Sequence, residues 1–101
     1  MEIVNAISKV RFASTGPQHV HLARGQSYRV DLLCMEAGQK GPPAAGPCAY
    51  YVVTGSASLT AGPKPHELPA GQLAQLEPGE AHTIANAGQN RLICLVIRAA
   101  K

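Results

Sequence analysis

Short apolar runs, interrupted every few residues by glycine or proline, set the character of this chain. The runs are 20–22, 28–35, 49–53, 56–60, 72–76, 81–84 and 91–98. They are rich in β-branched and aliphatic residues, and eight Pro and ten Gly punctuate them at intervals too short for helices of ordinary length. Seven or so short strands separated by turn signals predict an all-β domain, an antiparallel sandwich or barrel. The only segment open to a different reading is the start of the chain, where Met1–Ala6 and Ser8–Arg11 suggest a short helix or an arm. No internal repeat or linker interrupts the pattern, so residues 1–101 read as one domain.

Two runs carry more detail. Tyr50–Val53, Thr54-Gly55 and Ser56–Thr60 predict a hairpin, with Gly55 at a turn position where positive φ is free of steric cost. The stretch RLICLVIR is apolar on both faces, since Leu92, Cys94 and Val96 alternate with Ile93, Leu95 and Ile97. Such a strand lies inside a sandwich, or a second subunit covers one of its faces. In Tyr28–Met35, Arg29, Asp31, Leu33 and Met35 share one face, and Val30, Leu32 and Cys34 share the other. Its charged residues either line a cavity or end the strand in solvent.

Composition narrows the class. The chain is 46% hydrophobic and 15% charged, which fits a packed globular domain. Its net charge of +3 is scattered singly, with no basic run and no interleaved aromatics, giving no support for nucleic-acid or polybasic membrane binding. Cys34, Cys48 and Cys94 are odd in number and lack the spacing of a zinc ribbon or disulfide framework. Reduced thiols point to the cytoplasm. The amino terminus lacks the pattern of a signal peptide, and the longest apolar run, Leu92–Ile97, is far too short to span a bilayer as a helix.

The most ordered stretch is Gly71–Asn86, GQLAQLEPGEAHTIAN. Its Gly71, Gly79, His82 and Asn86 fall in register with the second motif of the cupin superfamily, G-x5-P-x-G-x2-H-x3-N, with the proline displaced by one to Pro78. Gly38 and Gly55 resemble the glycines that open and close the first motif, G-x5-H-x-H-x3/4-E-x6-G. The resemblance spans residues 28–98 and implies an antiparallel jelly-roll β-barrel that dimerises. In such proteins three histidines and a carboxylate usually hold a divalent metal. Here the segment between Gly38 and Gly55 is shortened and has neither histidine nor carboxylate from Gly41 onward. Cys48 takes the slot of the glutamate, and the histidine slots fall among Pro42, Pro43 and Ala44. His82 alone remains of the four ligands.

One imidazole alone cannot outcompete water for a metal ion with useful affinity. His82 is therefore read as a pocket residue that hydrogen-bonds or protonates a bound molecule, or as a barrel-lining histidine without a task. Cys48 faces the same cavity in this register, as a thiol near an imidazole or as a small space-filling residue. Tyr50, two residues on, shares its face and needs a partner for its hydroxyl. His19 and His21 point to one side of a strand, as an exposed edge pair or a relocated metal clip. His66 sits among turn residues, where solvent satisfies it.

No phosphate-binding glycine loop, nucleophile elbow or close carboxylate pair occurs. The expectation is a homodimeric protein that binds a small organic ligand through His82, Cys48 and Tyr50, with no cofactor and no tightly held metal. The alternatives are a metal-dependent dioxygenase, isomerase or decarboxylase with a non-standard site, and a structural or regulatory dimer whose barrel is packed shut.

Overall fold

A computed structural model describes residues 1–100 as nine strands and one short 3-10 turn at Ile7–Lys9. The strands are β1 (Gln18–Arg24), β2 (Tyr28–Met35), β3 (Ala44–Ala45), β4 (Cys48–Thr54), β5 (Ser56–Thr60), β6 (Pro65–Pro69), β7 (Leu73–Leu76), β8 (Ala81–Ala85) and β9 (Leu92–Ala99). Five form one sheet in the order β1-β2-β9-β4-β7, and four form a second in the order β3-β8-β5-β6. Every ladder is antiparallel. The two sheets are not closed into a barrel; they form an open sandwich. Prolines explain part of this: Pro65 and Pro69 bound the edge strand β6, and Pro42-Pro43 precede the two-residue β3. A proline has no N–H to extend a ladder, so these edges stop pairing.

The core lies between the inner faces. Leu33, Met35, Val52, Leu92, Cys94 and Val96 of the larger sheet meet Ala57, Leu59, Leu68 and Ile84 of the smaller. Burial of this aliphatic set supplies about 25 cal/mol for each Å² of apolar surface removed from water. The alternation in β9 decides which residues take part. Leu92, Cys94 and Val96 point inward and are fully buried, whereas Ile93 and Leu95 on the outer face are half-buried and Ile97 is 39% exposed.

The predicted hairpin does not form. β4 belongs to the larger sheet and β5 to the smaller, so Thr54-Gly55-Ser56 carries the chain from one sheet to the other. Gly55 has φ +87°, and a Cβ there would lie 2.5 Å from the Arg91 carbonyl oxygen. The glycine was legible as a turn, but its task is a crossing beside the entry to β9. Two strands were also missed, β3 and β6. His66 lies in β6 instead of a turn, and it is solvent-exposed as expected. The first residues form an arm whose Phe12 ring stacks under the Arg91 guanidinium, 4.4 Å away, and whose Ala13 carbonyl accepts from Gln39 Nε2 at 2.7 Å. No helix among the described residues is long and apolar enough to cross a membrane.

Asn86 fastens the sandwich at the end of β8. Its side chain is 1% exposed; Nδ2 donates to the Met35 and Asn90 carbonyls, and Oδ1 accepts from the Gly88 N–H. These bonds tie the end of β2 to the loop before β9, a structural task for the motif's asparagine.

Candidate functional site

The register of the larger sheet sets its inner face in rows. His19, Leu33, Cys94 and Val52 form one row, and His21, Asp31, Val96 and Tyr50 the next. Arg24, Arg29, Arg98 and Cys48 form the third. The rows pass from mostly apolar to mostly cationic along the sandwich. A cavity of about 330 Å³ opens where they change. Leu33, Ile84, Pro42, Pro43 and Ala44 supply its apolar wall, and His19, Arg29, Asp31, Tyr50 and Arg98 its polar groups.

His82 stands behind Tyr50, on the smaller sheet. Its Nδ1 lies 3.0 Å from the Glu80 carbonyl oxygen, which can only accept, so Nδ1 carries the proton. Nε2 is then the acceptor of the neutral ring, and the Tyr50 hydroxyl donates to it at 2.8 Å. Burial above all pushes the Tyr50 hydroxyl far above the usual phenol range, keeping it a donor. The two rings meet edge to face with centroids 5.5 Å apart. Cys48 Sγ sits 3.7 Å from the same nitrogen. Its thiol is also pushed up, mainly by burial, so it is protonated at neutral pH.

The one ring nitrogen of His82 that could ligate a metal accepts from the Tyr50 phenol. No carboxylate joins His82 and Cys48. Among the described residues no three His, Cys, Asp or Glu side chains converge as a metal site would require.

Asp31 is the buried charge of the cavity, 4% exposed. Its Oδ1 accepts from Arg29 Nη2 at 3.3 Å and lies 3.2 Å from His21 Nδ1. Of the two readings of Arg29 and Asp31, the structure realises cavity lining. His19 and His21 lie on the edge strand β1, both exposed, with His19 at the cavity rim. Although its surface is open to solvent, the partial enclosure of its ring at the rim, then the positive charge of Arg98, holds His19 below the usual 6.5.

Tyr50, His82 and Cys48 do come together. Only Tyr50 lines the cavity, however; Cys48 opens on a shallow surface pocket beside Tyr28, Ile97 and Arg98. Arg98 was missed by sequence reasoning. Its signal was the parity of β9, which places Arg98 on the inward face with Leu92, Cys94 and Val96.

The profile of the Cupin domain family matches residues 31–98. The chain belongs to the cupin family. Among solved structures this cupin is similar to a Thermus thermophilus protein (20% identity, 98% of this chain and 97% of that one, TM-score 0.90). An uncharacterized conserved Klebsiella pneumoniae protein with a double-stranded β-helix domain is also similar (21% identity, 98% and 90% covered, TM-score 0.88). So is a predicted oxalate decarboxylase from Thermotoga maritima (16% identity, 95% and 96% covered, TM-score 0.76). At these identities the likeness shows the cupin fold alone. No curated protein matches the sequence significantly.

Proposed function

We propose that this cupin binds a small organic ligand in the cavity between its sheets, without a tightly bound metal. The carrying observation is the cavity itself. It remains open although Tyr50, Leu33 and Ile84 border it, and it combines an aliphatic wall with a few convergent polar groups. That is the usual make-up of a small-molecule site, and about 330 Å³ lies near the small end of the range for such sites. The Tyr50–His82 pair supports the metal-free reading, since the histidine nitrogen is already occupied by a proton donor. Three free cysteines fit a reducing compartment such as the cytoplasm.

A homodimer through the outer face of the larger sheet accompanies this reading. Tyr51, Leu73 and Ile97 are exposed there, beside half-buried Ile93 and Leu95. Sedimentation equilibrium of the protein and of its Ile97→Glu variant tests this. A monomer in both cases would remove the dimer.

The ligand reading is tested by methyl NMR with a library of small organic fragments. Binding shifts the Leu33 and Ile84 methyl resonances; a library that leaves both unmoved would reject the site. Elemental analysis of protein purified without chelator tests the second half, and about one metal ion per chain would overturn it.

A further inference from the structure

Three arginines from neighbouring strands stand in one cross-strand row: Arg24 opposite Arg29, and Arg29 opposite Arg98. Like charges directly opposed on adjacent strands destabilise a sheet. Arg24 escapes, its Nη2 donating to the Ala100 carbonyl at 2.8 Å. Arg29 and Arg98 remain, and both line the cavity. Arg29 has a partial partner in Asp31, whose Oδ1 is shared with His21. Arg98 pairs with no carboxylate among the described residues.

The Nε atoms of Arg29 and Arg98 are buried, and neither has a hydrogen-bond partner. A buried N–H without a partner is uncommon in a native fold, although the Arg29 side chain as a whole is 38% exposed. Both side chains line the one cavity, and a ligand acceptor bound there would meet their guanidinium groups. The charges agree. Arg29 and Arg98 bring two positive charges to the lining and Asp31 one negative, leaving one positive in excess. His19, at the rim, is held toward its neutral form by burial and by Arg98, so it neither cancels that excess nor adds to it near neutral pH.

Resting on the reading of the cavity as a ligand site, we propose that its ligand is a small monocarboxylate. Its carboxylate is held by Arg29 and Arg98, and its apolar body lies against Leu33, Ile84 and the Pro42–Ala44 wall. A planar guanidinium matches a planar carboxylate through paired N–H donors. One excess positive charge balances a monoanion, whereas a phosphate dianion would meet Asp31 with its second charge unmatched. The aliphatic wall requires a hydrocarbon portion, which a bare inorganic anion lacks.

The experiment is a methyl-NMR titration with acetate, butyrate, hexanoate and benzoate, each run beside its primary amide, and with inorganic phosphate. Leu33 and Ile84 report the cavity. Butyrate, hexanoate or benzoate should shift both residues, and the matching amide should bind roughly tenfold or more weakly, as expected for loss of charge-assisted hydrogen bonds. Arg98→Gln should abolish that difference, while Arg98→Lys should restore only part of it. Amides binding as well as acids would overturn the carboxylate assignment and leave the ligand site standing. Phosphate as the sole or tightest binder would likewise overturn it in favour of an inorganic or phosphorylated ligand. If nothing in the panel moves Leu33 or Ile84, the proposal fails, and so does the site if the wider fragment library is equally silent. The acid–amide comparison uses the unaltered protein, so it decides the matter even where an arginine variant fails to fold.

Discussion

Tyr50 on β4 and His82 on β8 join the two sheets through a 2.8 Å hydrogen bond from the phenol to the imidazole Nε2, with both side chains buried. A cross-sheet bond in the interior is sensitive to loss of one partner. Tyr50→Phe keeps the ring packing and removes only the donor, leaving the buried imidazole nitrogen with the weak Cys48 thiol alone. The variant should be less stable by about 1–3 kcal/mol in urea unfolding. A double-mutant cycle with His82→Ala should return a coupling of about 0.5 kcal/mol or more. Additive effects would show that the two side chains act independently.

Asn86 should matter to the fold and not to ligand binding. Asn86→Ala deprives the Met35 and Asn90 carbonyls and the Gly88 N–H of their side-chain partner. A loss on the order of 2–3 kcal/mol is expected by chemical denaturation. Fragment affinity, measured where the variant is folded, should be unchanged.

The three thiols should separate by reactivity. Cys34 and Cys94 are fully buried, and burial pushes the Cys94 thiol up to about 12. Cys48 is only half-buried, yet its thiol is also raised, chiefly by burial. With a chromogenic disulfide at pH 7.5, native protein should release one equivalent, more slowly than free cysteine, and three after denaturation. The rate should keep climbing as pH passes the ordinary thiol value of 9.0. A fast reaction at neutral pH, level with pH, would mean an ionised thiol.

His19 makes stability depend on pH. Its folded value lies below the 6.5 of the unfolded chain, because burial and Arg98 oppose the charge. Between those two values the unfolded state binds more protons, so stability rises with pH through that window. The contribution is complete above 6.5 and falls away as pH drops toward the folded value. His19→Gln should flatten this part of the profile in unfolding experiments from pH 7.5 to 4.5. An unchanged slope would place its origin in another group.

Much of this fold was readable because alternation is a local signal. The strand at 28–35 was predicted to the residue, and β9 was displaced by one. The face assignments in both are those of the structure. Strand partnership was not readable. A Thr-Gly step between two strands has the same local chemistry whether the chain folds back on its neighbour or crosses to another sheet, so the hairpin at Gly55 was misassigned. Pro65–Pro69 was hidden by its prolines, which an edge strand tolerates. The Tyr50, His82 and Cys48 cluster followed from spacing and family resemblance together. Arg98 was a different case. Its inward parity was visible, but only the register with Arg29 reveals two guanidiniums on one cavity.

The position of β9 bears on how the chain assembles. It follows the other eight strands in sequence, yet it lies between β2 and β4. Until it arrives, β2 and β4 each keep an unpaired edge, and their inward side chains have no sheet to complete. Such late, distant pairing slows folding and leaves strand edges open to other chains meanwhile. On the ribosome, the larger sheet therefore waits for Leu92–Ala99 to emerge, and any device that shields β2 and β4 until then has to act before that moment.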